Sequence, residues 1–154
     1  MRALGIDFGE RRIGLALSDE TGTIASPLTT LSRRRGKRPP LRRIEEAAQR
    51  HGVEVLVLGL PLELTGEESA WSRQVREIGD RLAARLSMPV HLVDERLTSV
   101  RASRAVRGIG LPRQKREDRA RIDAAAAALI LQGWLDGHRP EDAPTATPPA
   151  GDTP

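Results

Sequence analysis

The sequence predicts an α/β domain whose mixed sheet joins an antiparallel meander to parallel βαβ units, with helices covering the sheet. Three observations carry this expectation. Three β-type segments open the chain, joined by connections suited to hairpins. Two nearly unbroken apolar runs follow, the pattern of strands buried on both faces. Amphipathic helical periodicity lies between and after those runs. A length of 154 residues suffices for one domain and is too short for two separate cores.

Taken in order, the opening strands are Ala3 to Asp7, Arg12 to Ser18 and Thr23 to Leu31. Phe8-Gly9-Glu10-Arg11 and Asp19-Glu20-Thr21-Gly22 are the turns between them. Pro39-Pro40 opens a helix reaching His51, with Leu41, Ile44, Ala47 and Ala48 on its apolar face. Val53 to Gly59 is a buried parallel strand. Thr65 and Glu68 have capping-box spacing ahead of a helix whose stripe is Trp71, Val75, Ile78, Leu82 and Leu86. Pro89 to Val93 reads as a further buried strand, ending in Asp94-Glu95-Arg96. A short helix over 99–106, a loop over 108–115 and an Ala-rich helix from Arg121 to Asp136 complete the domain, 1–138. Residues 139–154 hold five prolines and little apolar bulk, the composition of a disordered tail.

Composition narrows the chemistry. There is no cysteine, which excludes disulfide scaffolds, thiolate catalysis and zinc knuckles, so any metal would rest on carboxylates or histidines. No apolar stretch reaches the ~20 residues that span a bilayer, and Asp7 comes too early for a signal peptide. A cytoplasmic protein with no membrane partner is the expectation. Charge is polarised along the chain: residues 33–43 carry seven positive charges, and residues 96–121 hold nine basic against two acidic residues. Those blocks contribute +7 each to a total of +4, leaving −10 elsewhere. Such an arrangement suits an anionic partner. With only Phe8, Trp71 and Trp134 as aromatics, a platform that stacks a run of single-stranded bases is not expected.

Three carboxylates stand out. Alternation puts Ala3, Gly5 and Asp7 on one face of the first strand, and Gly14 and Ala16 make the matching face of the second. Asp7 is thus a charge beside small side chains in a central strand, where pairing or metal binding is expected, unless it caps the Gly9 turn. Glu95 follows an apolar strand directly, and sites in α/β sheets form at strand carboxyl ends; a pair with Arg96 or a helix-start role is the alternative. Asp123 has Ala120, Ala126, Ala127 and Ile130 as helical neighbours, a small apolar face unlike a solvated one. Small residues allow this helix to approach the sheet until Asp123 meets Asp7. Three converging carboxylates with arginine nearby form the pattern of a two-metal phosphodiester site, its ions about 4 Å apart. Hard oxygen ligands select Mg²⁺ or Mn²⁺.

Four segments in order, GIDFGERRIGLALSD (5–19), VLGLP (57–61), DERLTS (94–99) and IDAAAAALILQ (122–132), resemble the YqgF family across residues 2–136. Its members are described as pre-16S rRNA nucleases or Holliday-junction-resolvase-like proteins of the ribonuclease H superfamily. The resemblance implies a ribonuclease H-like five-stranded sheet of order 3-2-1-4-5 with strand 2 antiparallel, and two-metal hydrolysis. It implies Asp7, Glu95 and Asp123 as catalytic metal ligands. Arg12, Arg96, Thr98 and Ser99 match its further polar positions, contacting substrate or fixing Glu95, and Lys115 matches a basic position before the last helix. Asp19 orients a turn and is not a ligand. The function implied is metal-dependent cleavage of structured RNA in 5′-end maturation of 16S rRNA.

Alternatives are a Holliday-junction resolvase on branched DNA, which needs a dimer for paired cuts, and a nucleic-acid-binding module without catalysis. Monomer and homodimer both stay open. An actin-like ATP-binding lobe would need a second lobe that 154 residues cannot supply.

The basic stretch 33–43 has no apolar residue before Leu41 and reads as an electrostatic arm outside the core. Replacing its arginines with glutamine should weaken nucleic-acid binding and flatten its salt dependence, leaving turnover of bound substrate nearly unchanged. Binding isotherms across a salt series check this, and an unaltered slope would remove the arm from substrate binding.

Overall fold

A computed structural model describes residues 1–33, 38–97 and 116–138, with side chains of the last segment described from residue 121 onward. The elements expected at 99–106 and 108–115, and the tail 139–154, lie outside the described residues. The elements in order are β1 (Ala3–Phe8), β2 (Arg12–Ser18), β3 (Ala25–Ser32), α1 (Leu41–Arg50), β4 (Val55–Leu60), α2 (Ala70–Leu86), β5 (Val90–Asp94), a 3₁₀ turn (Glu95–Leu97) and α3 (Arg116–Asp136). One sheet holds all five strands in the order β3-β2-β1-β4-β5. β2 runs antiparallel to β1 and β3, whereas β4 is parallel to β1 and β5. The mixed sheet and strand order match the ribonuclease H-like expectation.

Alternation in the strands builds two cores. Leu4, Ile6, Ile13, Leu15, Leu56 and Leu58 point to one face, where α1 contributes Leu41, Ile44 and Ala48 and α2 contributes Val75, Ile78 and Leu82. Ala3, Ala16, Val55 and Val57 point to the other, against Ala126, Ala127, Ile130, Leu131 and Trp134 of α3. Central strands β1 and β4 are buried at every residue, which is why their sequences show no polar alternation apart from Asp7.

Several boundaries depart from expectation for local reasons. β3 begins at Ala25 because the backbone N–H groups of Thr23 and Ile24 donate to the Asp19 carboxylate, at 2.8 and 3.1 Å. α2 is capped by Ser69, not Thr65: Ser69 and Ser72 exchange reciprocal side-chain to backbone bonds at 3.1 and 2.8 Å. Both pairs have capping-box spacing, but Gly66 adopts a left-handed φ of 91° and ends a turn before the helix begins. α3 starts five residues before Arg121. β5 was expected to be buried, yet it is the edge strand in the described sheet, with His91 and Leu92 exposed. An apolar run alone does not reveal whether a second strand neighbour exists.

Asp19 also accepts from the Thr21 hydroxyl at 2.8 Å. The Thr23 backbone bond, then those from Thr21 and Ile24, hold its carboxyl down from 3.8 to about 2. A depressed folded pKa stabilises above the unfolded value and is lost as pH falls through the folded one. Asp19→Asn should therefore melt lower than wild type at pH 7. The gap should close as pH falls from about 4 to about 2, read from paired thermal melts; a gap constant across that window would mean the turn does not depend on the charge.

Candidate active site

The hairpin turn after β1 places the first arginine. The Gly9 N–H donates to the Arg12 carbonyl at 2.9 Å, and a Cβ on Gly9 would lie 2.6 Å from that oxygen. A side chain cannot be accommodated there without opening the turn. Asp7, one residue before Phe8, is 4% exposed and pairs in register with Gly14 of β2.

Glycines on both sides of Asp7 let the other carboxylates close in. A Cβ on Gly14 would fall 2.0 Å from the carbonyl oxygen of Asp123, so α3 lies directly on β2 at this point. At Gly5 the same construction meets the Ala127 carbonyl at 3.0 Å and Leu131 Cβ at 2.7 Å. Gly59 of β4 is the third such position: its Cβ would lie 2.8 Å from Glu95 Oε1 and 2.6 Å from Ile130 Cδ1. The parallel register of β1 with β4 ends at Ile6 beside Leu58, and Asp7 and Gly59 are the residues that follow this last pair. The Asp123 backbone over Gly14, Asp7 itself and the Glu95 carboxylate beside Gly59 are thus spread along the α3 face, across β2, β1 and β4. Neighbouring strands are roughly 5 Å apart. All three carboxylates are buried, with Glu95 at 3% and Asp123 at 7% exposure.

Arg12 Nε donates to Asp123 Oδ2 at 2.5 Å. Asp7 and Asp123 line a cleft of about 330 Å³ together with Phe8, Gly9, Glu10, Arg11, Arg12, Pro61 and Trp71. Arg96 stands apart from it. Its Nε and Nη2 grip Asp94 at 2.6 to 3.1 Å and its Nη1 donates to the Leu64 carbonyl, tying the end of β5 to the loop after β4. That ion pair raises the Arg96 pKa further. Thr98, Ser99 and Lys115 lie outside the described residues.

The row of hard oxygens suits Mg²⁺ or Mn²⁺ in donor chemistry. Among the described residues, however, no three acidic or histidine side chains are grouped closely enough to hold one ion. Glu95 does not line the cleft, and Asp123 is engaged by Arg12.

Three cleft features were not singled out from sequence. Arg33 sets its guanidinium over the Phe8 ring at 5.8 Å and the Trp71 ring at 5.9 Å, and donates to the Gly9 carbonyl at 3.4 Å. The root of the basic stretch is therefore anchored at the cleft wall. Trp71 reads as the first residue of a core stripe, and nothing local says that it overhangs a cleft. Phe8 follows Asp7 directly, which was the available signal.

A mixed sheet of order 3-2-1-4-5, with β2 antiparallel and helices on both faces, defines the ribonuclease H-like class. RuvC of Thermus thermophilus shares the fold, with a TM-score of 0.53 at 15% identity over 90% of this chain and 96% of that one. The T. thermophilus RuvC bound to a Holliday junction substrate gives the same TM-score at 16% identity, covering 90% and 95%. The chain belongs to the RuvX family, described as "Holliday junction resolvase", which it matches over residues 1–137. A relative in Anaeromyxobacter dehalogenans (strain 2CP-C) is 45% identical over 140 residues, 91% of this chain and 100% of that protein. Another, in Moorella thermoacetica (strain ATCC 39073 / JCM 9320), is 44% identical over 136 residues, 88% and 95% of the two chains. Both carry the name "Putative pre-16S rRNA nuclease".

The contact at Gly14 is backbone against strand, so neither side yields cheaply. Gly14→Ala should destabilise the fold by about 2–3 kcal/mol, as overpacking at a rigid contact does. Urea unfolding measures it. An unchanged midpoint would show that α3 does not need this approach.

Proposed function

We propose that the protein is a metal-dependent nuclease that hydrolyses phosphodiester bonds of structured RNA, acting in 5′-end maturation of pre-16S rRNA in the cytoplasm. The observation that carries this reading is the row of three buried carboxylates made possible by glycines on either side of Asp7. A buried carboxylate is costly to keep unless it is hydrogen-bonded, paired or bound to a cation, and here three are buried on one face of the sheet. The names of the relatives support the substrate class, and family membership supports nuclease chemistry.

Asp7, Glu95 and Asp123 would hold Mg²⁺ or Mn²⁺, Asp7 lying between the other two. When bound, such ions activate water and offset charge on the leaving oxygen. The chain's own residues supply the rest. Arg11 and Arg12 line the same cleft as Asp7 and Asp123 and would offer guanidinium groups to the phosphate backbone. Trp71 and Phe8 add ring surface to the lining of this cleft of about 330 Å³. Such a cleft fits a nucleotide or two of backbone better than a whole duplex.

The second reading is Holliday-junction resolution on branched DNA, which the family's description favours. It requires two coordinated cuts and therefore a dimer on the junction. Matched structured RNA and four-way DNA junctions, each incubated with pure protein and Mn²⁺, separate the two. Preferential RNA cleavage supports the first reading, and symmetric paired nicks in the junction would overturn it.

Asp7→Asn and Asp123→Asn each keep side-chain shape and remove one ligand charge. Each should lower cleavage about 10³-fold or more, the loss of about 4 kcal/mol of transition-state stabilisation. With chelator Asp7→Asn should melt at or above wild type, because repulsion from the neighbouring carboxylates is relieved, whereas Asp123→Asn also loses its ion pair with Arg12 and should melt lower. Adding Mn²⁺ should raise the wild-type melting temperature more than that of either variant. Cleavage by both variants, or identical responses of all three proteins to Mn²⁺, would rule out the carboxylate site.

A further inference from the structure

We propose that Trp71 is a stacking platform for one unpaired nucleobase of the substrate, so that the strand to be cut enters the cleft as a single-stranded or extruded nucleotide. This rests on the nuclease reading above and names the form of nucleic acid that the cleft accepts. It does not depend on how a metal is held.

Aromatic side chains are scarce in this chain, with one phenylalanine, two tryptophans and no tyrosine. Two of these three rings, Phe8 and Trp71, line the cleft that holds Asp7 and Asp123. The third, Trp134, is buried in the core beneath α3. Phe8 is only 3% exposed, so it backs the wall and offers little surface of its own. Trp71 is half-buried: it packs against the core on the α2 side of the sheet and also lines the cleft. Its backbone is fixed in the first turn of α2, between Ser69 and Ser72 with their reciprocal bonds. The Arg33 guanidinium lies within cation–π range of both rings and donates to the Gly9 carbonyl, which ties the rings to the turn after β1. A ring already held in place loses little freedom when a ligand stacks on it.

The chemistry of the lining points to a nucleotide. Trp71 and Pro61 offer apolar surface, and Arg11 and Arg12 offer cations beside it. A ligand that uses both has a flat apolar part and an anionic part, as a base and its phosphate do. An apolar peptide would leave the arginines unmet, and inorganic phosphate would leave the indole unused. The cleft of about 330 Å³ has room for one such nucleotide and not for its paired partner. Inside a duplex both faces of a base are covered by its neighbours, so a base reaches Trp71 only after it has left the helix. Stacking reads the face of a base and not its edges, so the platform selects strandedness and tolerates sequence. One ring serves one base, in keeping with a chain too poor in aromatics to hold a run of them.

Binding measured with chelator present tests this without metal or cleavage. The probes are an RNA hairpin with an unpaired tail, copies lacking one base at each tail position in turn, and the same hairpin with its tail fully paired. Wild type should bind the paired form more weakly, and should lose about tenfold in affinity when one particular tail base is removed, the weight of one base–aromatic stack. Trp71→Leu should lose about tenfold with the intact tail and nothing further when that base is removed, whereas Trp71→Phe should keep most of the affinity. If Trp71→Leu still loses affinity on removal of that base, Trp71 serves packing alone and the proposal is overturned. A second measurement leaves the cleft intact. In Trp134→Phe the indole of Trp71 is the only one, and its emission should be quenched by the unpaired tail and not by the paired form. Emission that is unmoved at saturation, or moved equally by both forms, overturns the platform and leaves the nuclease reading standing. A wild type that binds neither RNA overturns both.

Discussion

Close approach of α3 to the sheet is the constraint on which the rest of this structure depends. Gly5, Gly14 and Gly59 lie beneath the helix or beside it, and at each of them a Cβ would enter space held by α3 or by Glu95. The helix replies with alanines, so the layer spacing on this face is set by backbone and methyl groups, not by Leu and Ile. Dispersion and burial on this side come from Ile130, Leu131, Trp134 and Leu135 near the carboxyl end of α3. Near its amino end the same approach delivers Asp123 to the level of Asp7.

The two faces of the sheet consequently do different work. Large aliphatic side chains from β1, β2 and β4 interlock with α1 and α2 on one face, an ordinary core that stabilises by area removed from water. The α3 face trades bulk for proximity. An active-site carboxylate needs a wall that is close, stiff and poor in competing polar groups, and the glycine–alanine contact supplies all three. Gln132 secures the arrangement from the side: it accepts from Ala25 N–H at 2.8 Å and donates to the Thr23 carbonyl at 2.9 Å, joining α3 to the edge strand β3.

Electrostatics follow the same division. Exposed pairs such as Arg42 with Glu46 contribute little, because water screens them. The pairs that matter are local to the sheet's carboxyl ends, where Arg96 fastens Asp94 and Arg12 meets Asp123. Arg33, the first residue of the basic stretch 33–43, sets its guanidinium near the Phe8 and Trp71 rings of the cleft wall.

Much of this was legible in the residues themselves. Alternation in Ala3 to Asp7 and Arg12 to Ser18 separates the two faces without reference to any neighbour, and the stripe Val75, Ile78, Leu82 orients α2. The oddity of Asp7 among small side chains and of Asp123 among alanines marked both as candidate site residues, because a charge on an apolar face is a conflict visible from local periodicity. Tertiary structure alone decided the rest. That β5 is an edge depends on which strands exist to pair with it, and the choice of Ser69 over Thr65 as cap depends on where the preceding turn ends. Glu95 could not be distinguished by its own neighbours from a helix-start carboxylate; its place over Gly59 follows from the pairing of β5 with β4. The partner of Arg12 is 111 residues away along the chain. No local pattern encodes such a contact, because it exists only once a glycine in β2 has let a distant helix lie against the strand.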